Sequence, residues 1–577
     1  MTLERYANGQ WWPNEHQASA RFPVMCRGNT GEVYPNVVAP LTGSILNVPF
    51  ALGMRRALVE LGFATARQVA EFDGHTTAMT ANFAGYLYGN VSLVRSVVAR
   101  TPGLTVSDVD RQLFGLSDAP PHRRGSGDRS VRAALRALSA LGGGILRPND
   151  RRLIDSRALA DEFVGAAPDP ATASTAALLE LVRSADAQLE RFMHDLLTVG
   201  SLAGMSRSML ERLVAGLGDD DLVNRLTSGL GTIESAEPPA DLWRLGRLVA
   251  ASPEVGAEFD AGTDGLLERL AIVPDASEFL DRFAEFRRRH GARGPDEWEL
   301  RSSTWGTDPK IALNTIDRLR SAPDDRDPVT VGGALSIDRD ARAVATRAAL
   351  PRRKRRSFDM AMRGVATYEA QREGIKAAFV RLLFPVRLAL AELARRSVFS
   401  HDDAFLLTVD ELADALVDPE PFREVVAERR IRHDYLQARV PPFWFEGEIP
   451  DPSTWPLRSN LRRPDPTARE LTGIGVCSGT ATGTARVVTD PADPGDLQPG
   501  DILVAPITDP AWTPLFLAVA GVVVDVGAHL SHAAIVSREL GIPAVVSATG
   551  ASSTIPDGAR ITVDGSQGVV TVHGTDP

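Results

Sequence analysis

The spacing of apolar residues changes character once along this chain, in its last fifth. From about residue 51 to 445 apolar positions recur at helical spacing, as in "PFALGMRRALVELG", "ALLELVRSADAQLERFMHDLLTVGSL" and "AAFVRLLFPVRLALAELARRSVF". Clusters of Pro, Asp, Gly and Ser near 117–129, 165–173, 253–265 and 321–335 are expected to break that region into separate helices. Residues 1–50, with Trp11, Trp12 and frequent Pro, Gly and Asn, are expected to form an irregular segment packed on the helices. The Pro-rich stretch 446–470 reads as a linker. Beyond it the pattern turns to short β runs: "TARVV", "DILVAP", "GVVVDV", "PAVVSA" and the hairpin "ARITVDGSQGVVTV". Two helices interleave there, around "WTPLFLAVA" and "HAAIVSREL". The pattern predicts a multidomain chain: a large, mostly α-helical domain over 51–445, then a small α/β domain over 471–577.

One junction in the α/β segment carries chemistry. "GVVVDV" reads as a buried strand, "GAHLS" as a turn and "HAAIVSREL" as a helix. Ser531 is placed to cap that helix, Gly541 ends it, and Pro543 stops its resumption. His532 then falls in the first turn, where unpaired N–H groups create positive potential. That field disfavours a protonated imidazole and stabilises an anion attached to it, which are the two needs of a phosphoryl-carrying histidine. The residues alone favour a histidine that merely begins a helix. His529, in the turn, is secondary.

Composition narrows the alternatives. The net charge of −11 argues against a general nucleic-acid binder. Cys26 and Cys477 are too few and too far apart for a disulfide framework or a cysteine metal site, which fits a cytoplasmic protein. The N-terminus has no signal-peptide core, and the longest apolar run, Leu515 to Val524, is too short to span a membrane. Only Lys310, Lys354 and Lys376 are lysines among 63 basic residues, so chemistry that needs a lysine has three candidates.

Read together, "GDILVAPITDPAWTPLF" and "GVVVDVGAHLSHAAIVSRELGIPAVV" resemble the phosphohistidine (swivelling) domain of PEP-utilising enzymes. That family includes phosphoenolpyruvate synthase, pyruvate phosphate dikinase, rifampin phosphotransferase and phenylphosphate synthase. The likeness spans 471–577 and departs from the family at Ala528, where a second glycine is common. It implies a β/β/α swivelling domain with His532 as the phosphorylated residue. Upstream, "RGNTGEVYPNVVAPLTGSI", "FAGYLYGNVS", "HGARGPDEWELRSSTWGTDP", "QREGIK" and "DDAFLLTVDEL" are similar to landmarks of rifampin phosphotransferase, implying a helical acceptor-binding domain.

The resemblance also shapes the expected reaction. The expectation is that no ATP-grasp domain precedes Arg27 and no pyruvate-binding barrel follows the histidine domain, and no Gly-Lys dipeptide marks a phosphate loop. The expectation is therefore a subunit of a split phosphotransferase, as in phenylphosphate synthase-like systems. A separate ATP-grasp chain would hold ATP and Mg2+, release AMP and phosphate, and load His532. This chain would bind no metal or tight cofactor of its own. The acceptor is expected to be a phenol or alkylphenol; a rifamycin-like antibiotic is the alternative. Apolar residues around 72–92 and 379–406 could suit either acceptor. A non-catalytic relic that only binds partners is the rival from another class.

Several further residues are candidates. Arg372 and Lys376, four apart, share a helical face and could surround phosphoryl oxygens, with Glu373 orienting a cation. In the family a similar Arg-Glu-x-x-Lys element faces the phosphohistidine; the bland reading is a solvated basic face. Arg293, Glu297 and Ser531 could bind phosphate or acceptor, or Arg293 and Glu297 could form a loop salt bridge. His290 and His433 could be general bases or structural histidines. "PRRKRR" (351–356) reads as a solvated helix face or a docking patch for the acidic partner, "GDDDL" (218–222) as helix-end capping, and "GIGVCSGTATG" (473–483) as turn and strand glycines.

Overall fold

A computed structural model describes the chain apart from residues 1–3, 7, 77–78, 102–104, 115–118, 123–130, 220, 231–233, 235–236, 461–468, 492–493, 509–511, 529–530 and 575–577. His529, part of the 117–129 loop, Asp220 and the end of the Pro-rich stretch lie outside the described residues.

The first 50 residues are more ordered than their Pro and Gly content suggests. They hold β1 (Val24–Cys26), α1 (Thr30–Val33) and the start of α2 (Pro40–Glu60), so the boundary expected at residue 50 falls inside a helix. Pro40 suits the first turn of α2, where its missing N–H costs nothing. β1 was not legible locally because its partners are remote. It pairs with β3 (Tyr86–Asn90), which forms a hairpin with β2 (Thr80–Phe83), and with β4 (Trp444–Glu446). The antiparallel order is β2-β3-β1-β4. The expected linker thus begins on this sheet. Trp455, buried and 5.9 Å from the Tyr86 ring, holds its next stretch down as well.

The helical region is organised around three long helices: α3 (Asp186–Val214), α4 (Pro328–Ala349) and α5 (Arg352–Arg396). α5, 45 residues long, packs along α3, and α3 packs along α2. Small residues permit the approach: a Cβ on Gly364 of α5 would collide with Ser206, and one on Gly53 of α2 with the Glu190 carbonyl. Two stretches expected as loops contain helices instead, beginning at Pro253 and Pro328. In each case proline fits the first turn and a preceding Ser252 or Asp327 caps it. The "PRRKRR" run forms the exposed first turns of α5, where Arg355 donates to the Leu350 and Ala348 carbonyls at the end of α4.

The C-terminal module is α/β. Its elements are β5 (Glu470–Thr472), β6 (Ile474–Cys477), β7 (Thr480–Val487), β8 (Ile502–Ala505), α6 (Thr513–Ala518), β9 (Gly521–Val524), α7 (His532–Leu540), β10 (Ala544–Val546), β11 (Arg560–Asp564) and β12 (Val569–Gly574). The sheet order is β5-β12-β11-β7-β8-β9-β10-β6, with β7 to β10 parallel. Its edge strands β5 and β6 are joined by Gly473 alone, so the sheet must curl to bring its edges together. β8 and β9 are buried on both faces, which explains their unbroken apolar runs. Leu503, Ala505, Val522 and Val524 pack in one core with residues of α6 and α7; Ile502, Val504 and Val523 pack in the other with residues of β11 and β12.

The module sits on the helical region. Leu517 joins the core of the 242–322 helices. The Leu230 N–H faces Glu539 at 3.5 Å, Arg326 donates to the Val519 carbonyl, and Ser478 bonds Asp221. Asp221 precedes a short helix (Leu222–Leu226) without capping a backbone N–H there, but its carboxylate accepts from Asn224 and Arg225 of that helix as well as from Ser478, so it serves both the helix end and the seam. Among the described residues no helix is long and apolar enough to cross a membrane.

The α2–α3 crossing gives a paired stability test. Gly53→Ala should destabilise the chain by about 1–3 kcal/mol through overpacking. Gly204→Ala, in open space on α3, should stabilise it by up to about 1 kcal/mol through helix propensity. Urea unfolding of the two variants checks both signs.

Candidate active site

α7 begins as its sequence dictates. Ser531 is extended, its Oγ accepts the Ala534 N–H at 3.3 Å, and Gly541 closes the helix in the left-handed region at φ 63°. His532 is the first helical residue. Its Nε2 lies 3.0 Å from Thr513 Oγ1, its Nδ1 3.4 Å from Thr508 Oγ1, and the Phe516 ring meets it edge-on. Burial pushes its pKa down to about 3; Glu373 opposes that shift, while Lys376 and Arg293 reinforce it. The imidazole is therefore neutral at neutral pH, with a lone pair to offer a phosphoryl group.

The charges that act on His532 come from the helical region. Arg372, Glu373 and Lys376 lie midway along α5, and Arg372 is buried, so this is not the solvated face that the bland reading offered. Glu373 Oε1 accepts from Arg372 Nε at 3.3 Å and Lys376 Nζ at 3.2 Å. Burial alone would raise the Glu373 pKa, but Lys376, Arg372 and Arg293 together hold it at about 2. Arg293 is held by buried Glu297, whose Oε2 accepts from Arg293 Nε at 2.6 Å. Arg387 of α5 in turn fixes that loop, donating to the Glu297, Glu299 and Ser302 carbonyls. Glu297 thus orients Arg293 and is itself enclosed.

One residue at the site escaped the sequence reading. Glu32 Oε2 accepts the His532 backbone N–H at 3.2 Å. α1, which carries Glu32, is stapled in place: Arg27 donates to the Tyr34 and Pro35 carbonyls, Thr30 to the Leu87 carbonyl, and the Tyr34 hydroxyl to the Trp298 carbonyl. Arg27 itself lies 4.6 Å over the Tyr86 ring. Burial pushes the Glu32 pKa up to about 8, against the pull of the His532 N–H, Lys376 and Arg372. The available signal was that Glu32 is the only acidic residue between Arg27 and Ile45.

The two histidines considered as bases are elsewhere. His290 Nε2 is 2.9 Å from Asp241 and its ring packs on Phe286. His433 lies against Asp434, Arg301 and Trp12 and lines a separate cavity of about 120 Å³. Burial lowers the pKa of both, and neither is among the groups contacting His532.

A cavity of about 750 Å³ opens between α1, the 440–444 segment and the module loops. Phe114, Phe443, Trp444 and Trp512 supply apolar walls, and Glu32 and Thr508 bring it to His532. The stretches 72–92 and 379–406, considered for the acceptor, do not line it. Phe83, Tyr86, Phe379 and Phe405 are core residues instead. Among the described residues no group of three or more His, Cys, Asp or Glu side chains is placed to hold a metal ion.

An α/β module thus presents a neutral helix-start histidine to charged groups of α5 and the Arg293 loop. Residues 497–568 match the family described as PEP-utilising enzyme, mobile domain, and residues 197–373 match the rifampicin phosphotransferase fourth domain. The chain is 29% identical over 451 residues to rifampicin phosphotransferase of Streptomyces sviceus, covering 71% of this chain and 51% of that one. It is 32% identical over 416 residues to a rifampicin phosphotransferase of Streptomyces sp, covering 69% and 47%. It is also 29% identical over 376 residues to the prodigiosin synthesizing transferase PigC of Serratia marcescens, covering 63% and 41%. The chain is thus similar to PEP-utilising enzymes and resembles rifampicin phosphotransferase. It spans about half the length of these curated relatives.

The His532 environment predicts a pH effect with a definite sign. A state that exposes the imidazole takes up a proton near its ordinary pKa of about 6.5, whereas the seated state does not until about pH 3. Seating of the module should therefore weaken as pH falls through about 6.5. In 15N-histidine NMR spectra at pH 5.5, the seated population should show a neutral His532 ring, and that population should shrink on further acidification.

Proposed function

We propose that this chain passes a phosphoryl group from His532 to a hydroxyl of a bulky, largely apolar organic acceptor in the 750 Å³ cavity, a rifamycin-like molecule being the working case. The observation that carries this reading is the continuity of cavity and carrier: Glu32 and Thr508 line the one and contact the other. In the proposed step the acceptor oxygen attacks phosphorus, the N–P bond breaks, and its electron pair stays on the imidazole. Arg372, Lys376 and Arg293 would offset charge on the phosphoryl oxygens in a water-poor setting. A cavity of this size is in the range that encloses a drug-sized ligand. A small phenol, the other acceptor considered, would leave most of it unfilled.

The donor in this proposal is ATP held with magnesium by an ATP-grasp partner chain, which releases AMP and phosphate and loads His532. The module would leave its seat to be loaded and return to deliver, moving on the 446–470 stretch. Shallow polar contacts such as Leu230–Glu539 and Arg326–Val519 suit a seat that must release. With partner, magnesium and labelled ATP, an acid-labile label should appear on the wild-type chain and be absent from His532→Ala. A label retained in His532→Ala would sink the assignment, and none in the wild type would favour the relic reading. Lys376→Met should slow transfer by about 10²–10³-fold while loading persists. Rifampicin should compete for transfer better than phenol; the reverse order overturns the bulky acceptor.

A further inference from the structure

We infer that Glu32 is the general base of the transfer step, taking the proton of the acceptor hydroxyl as its oxygen attacks the phosphoryl group on His532. The inference rests on the phosphotransfer reading above and names the group that reading lacks. Position comes first. Glu32 lines the acceptor cavity and meets the first turn of α7, so it borders both reactants. The His532 N–H is the one hydrogen bond its carboxylate makes among the described residues, and that bond uses Oε2.

The competitors are otherwise engaged. His290 and His433 are bonded to Asp241 and Asp434 away from His532. Asp525, another carboxylate in the cavity wall, uses both oxygens on Ser552, accepting its N–H at 2.7 Å and its hydroxyl at 2.5 Å. Asp296 accepts from Asn36. Glu373 is held ionised by three cations, which makes it a poor proton acceptor.

The charged groups that face Glu32 also suit the role. Lys376 and Arg372 act on it from α5 and the His532 N–H from α7, all favouring the carboxylate, while burial favours the acid. Their balance leaves a group able to gain and lose a proton near neutral pH, the range in which a general base works best. Atoms balance in the step. The acceptor proton passes to Glu32 as the P–O bond forms and the N–P bond breaks. Glu32 then returns that proton to the vacated imidazole nitrogen, so both residues end as they began.

The test separates this inference from the function it rests on. The full-length chain is phosphorylated with phosphoramidate, so that loading needs no partner, and single-turnover transfer to rifampicin and to 4-nitrophenol is followed. Glu32→Gln keeps an oxygen for the His532 N–H but cannot take a proton. Phospho-His532 should form to the same extent in wild type and variant, while transfer to rifampicin falls by about 10²–10⁴-fold in the variant. The wild-type rate should climb with pH through about 8, and the variant should lose that climb. With 4-nitrophenol at a pH where it is already ionised, the variant's loss should shrink to a few-fold. Equal rates in wild type and variant, or a climb that survives in the variant, overturn the inference. So do losses of equal size with both acceptors, which would mark a positioning role. A phosphorylated wild type that transfers to neither probe overturns the function reading, and this inference with it.

Discussion

The contact on which this site depends is a single hydrogen bond across a seam, from the His532 N–H at the start of α7 to the Glu32 carboxylate on α1. An N–H in the first helical turn has no partner within its own helix, so it must find one outside. Here it finds one in another part of the fold, 500 residues away in the chain. That bond holds the first turn of α7 beside the cavity that Glu32 lines. Because the helix end is a donor and Glu32 an acceptor, the seat is polar at this point, whereas Leu517 packs into the core of the 242–322 helices.

Around that contact, buried charge is tolerated because each charged group is matched. Arg372 and Lys376 share Glu373, Arg293 is bound to Glu297, and Arg387 satisfies three carbonyls that hold the intervening loop. Unpaired, these groups would carry a large desolvation penalty. Paired, they keep positive charge beside a neutral imidazole. Burial above all, reinforced by Lys376 and Arg293, keeps the ring from protonating. Arg538, buried near the far end of α7, shows the same logic: burial lowers its pKa to about 10, and Glu369 and Glu539 counter the shift.

The cavity follows from the same seating. Its walls come from α1, the segment before β4, and four module loops, so neither part encloses it alone. A molecule within it would be shielded on one side by Phe443 and Trp444 and on the other by Trp512. Release of the module would open the cavity and free the acceptor in the same motion. In the proposed reaction this would tie delivery of the phosphoryl group to enclosure of its target and limit loss of the group to water.

The chain's own periodicities determined the α/β character of 471–577, the turn and cap that place His532 at a helix start, and the helical face shared by Arg372 and Lys376. These features depend on residues within a few positions of one another, where backbone preference and side-chain spacing decide the outcome. β1 and β4 were not legible, because a three-residue strand has no signature until a remote partner supplies its hydrogen bonds. The helices at Pro253 and Pro328 were masked because proline reads as a breaker unless its cap is weighed with it. Tertiary structure alone decided the rest. It set His290 and His433 aside, turned an apparent surface pair on α5 into a buried Arg372 and a half-buried Lys376 around Glu373, and gave Glu32 its place beside His532. Burial and proximity between distant segments govern charge state and reach, and neither can be computed from spacing along the chain.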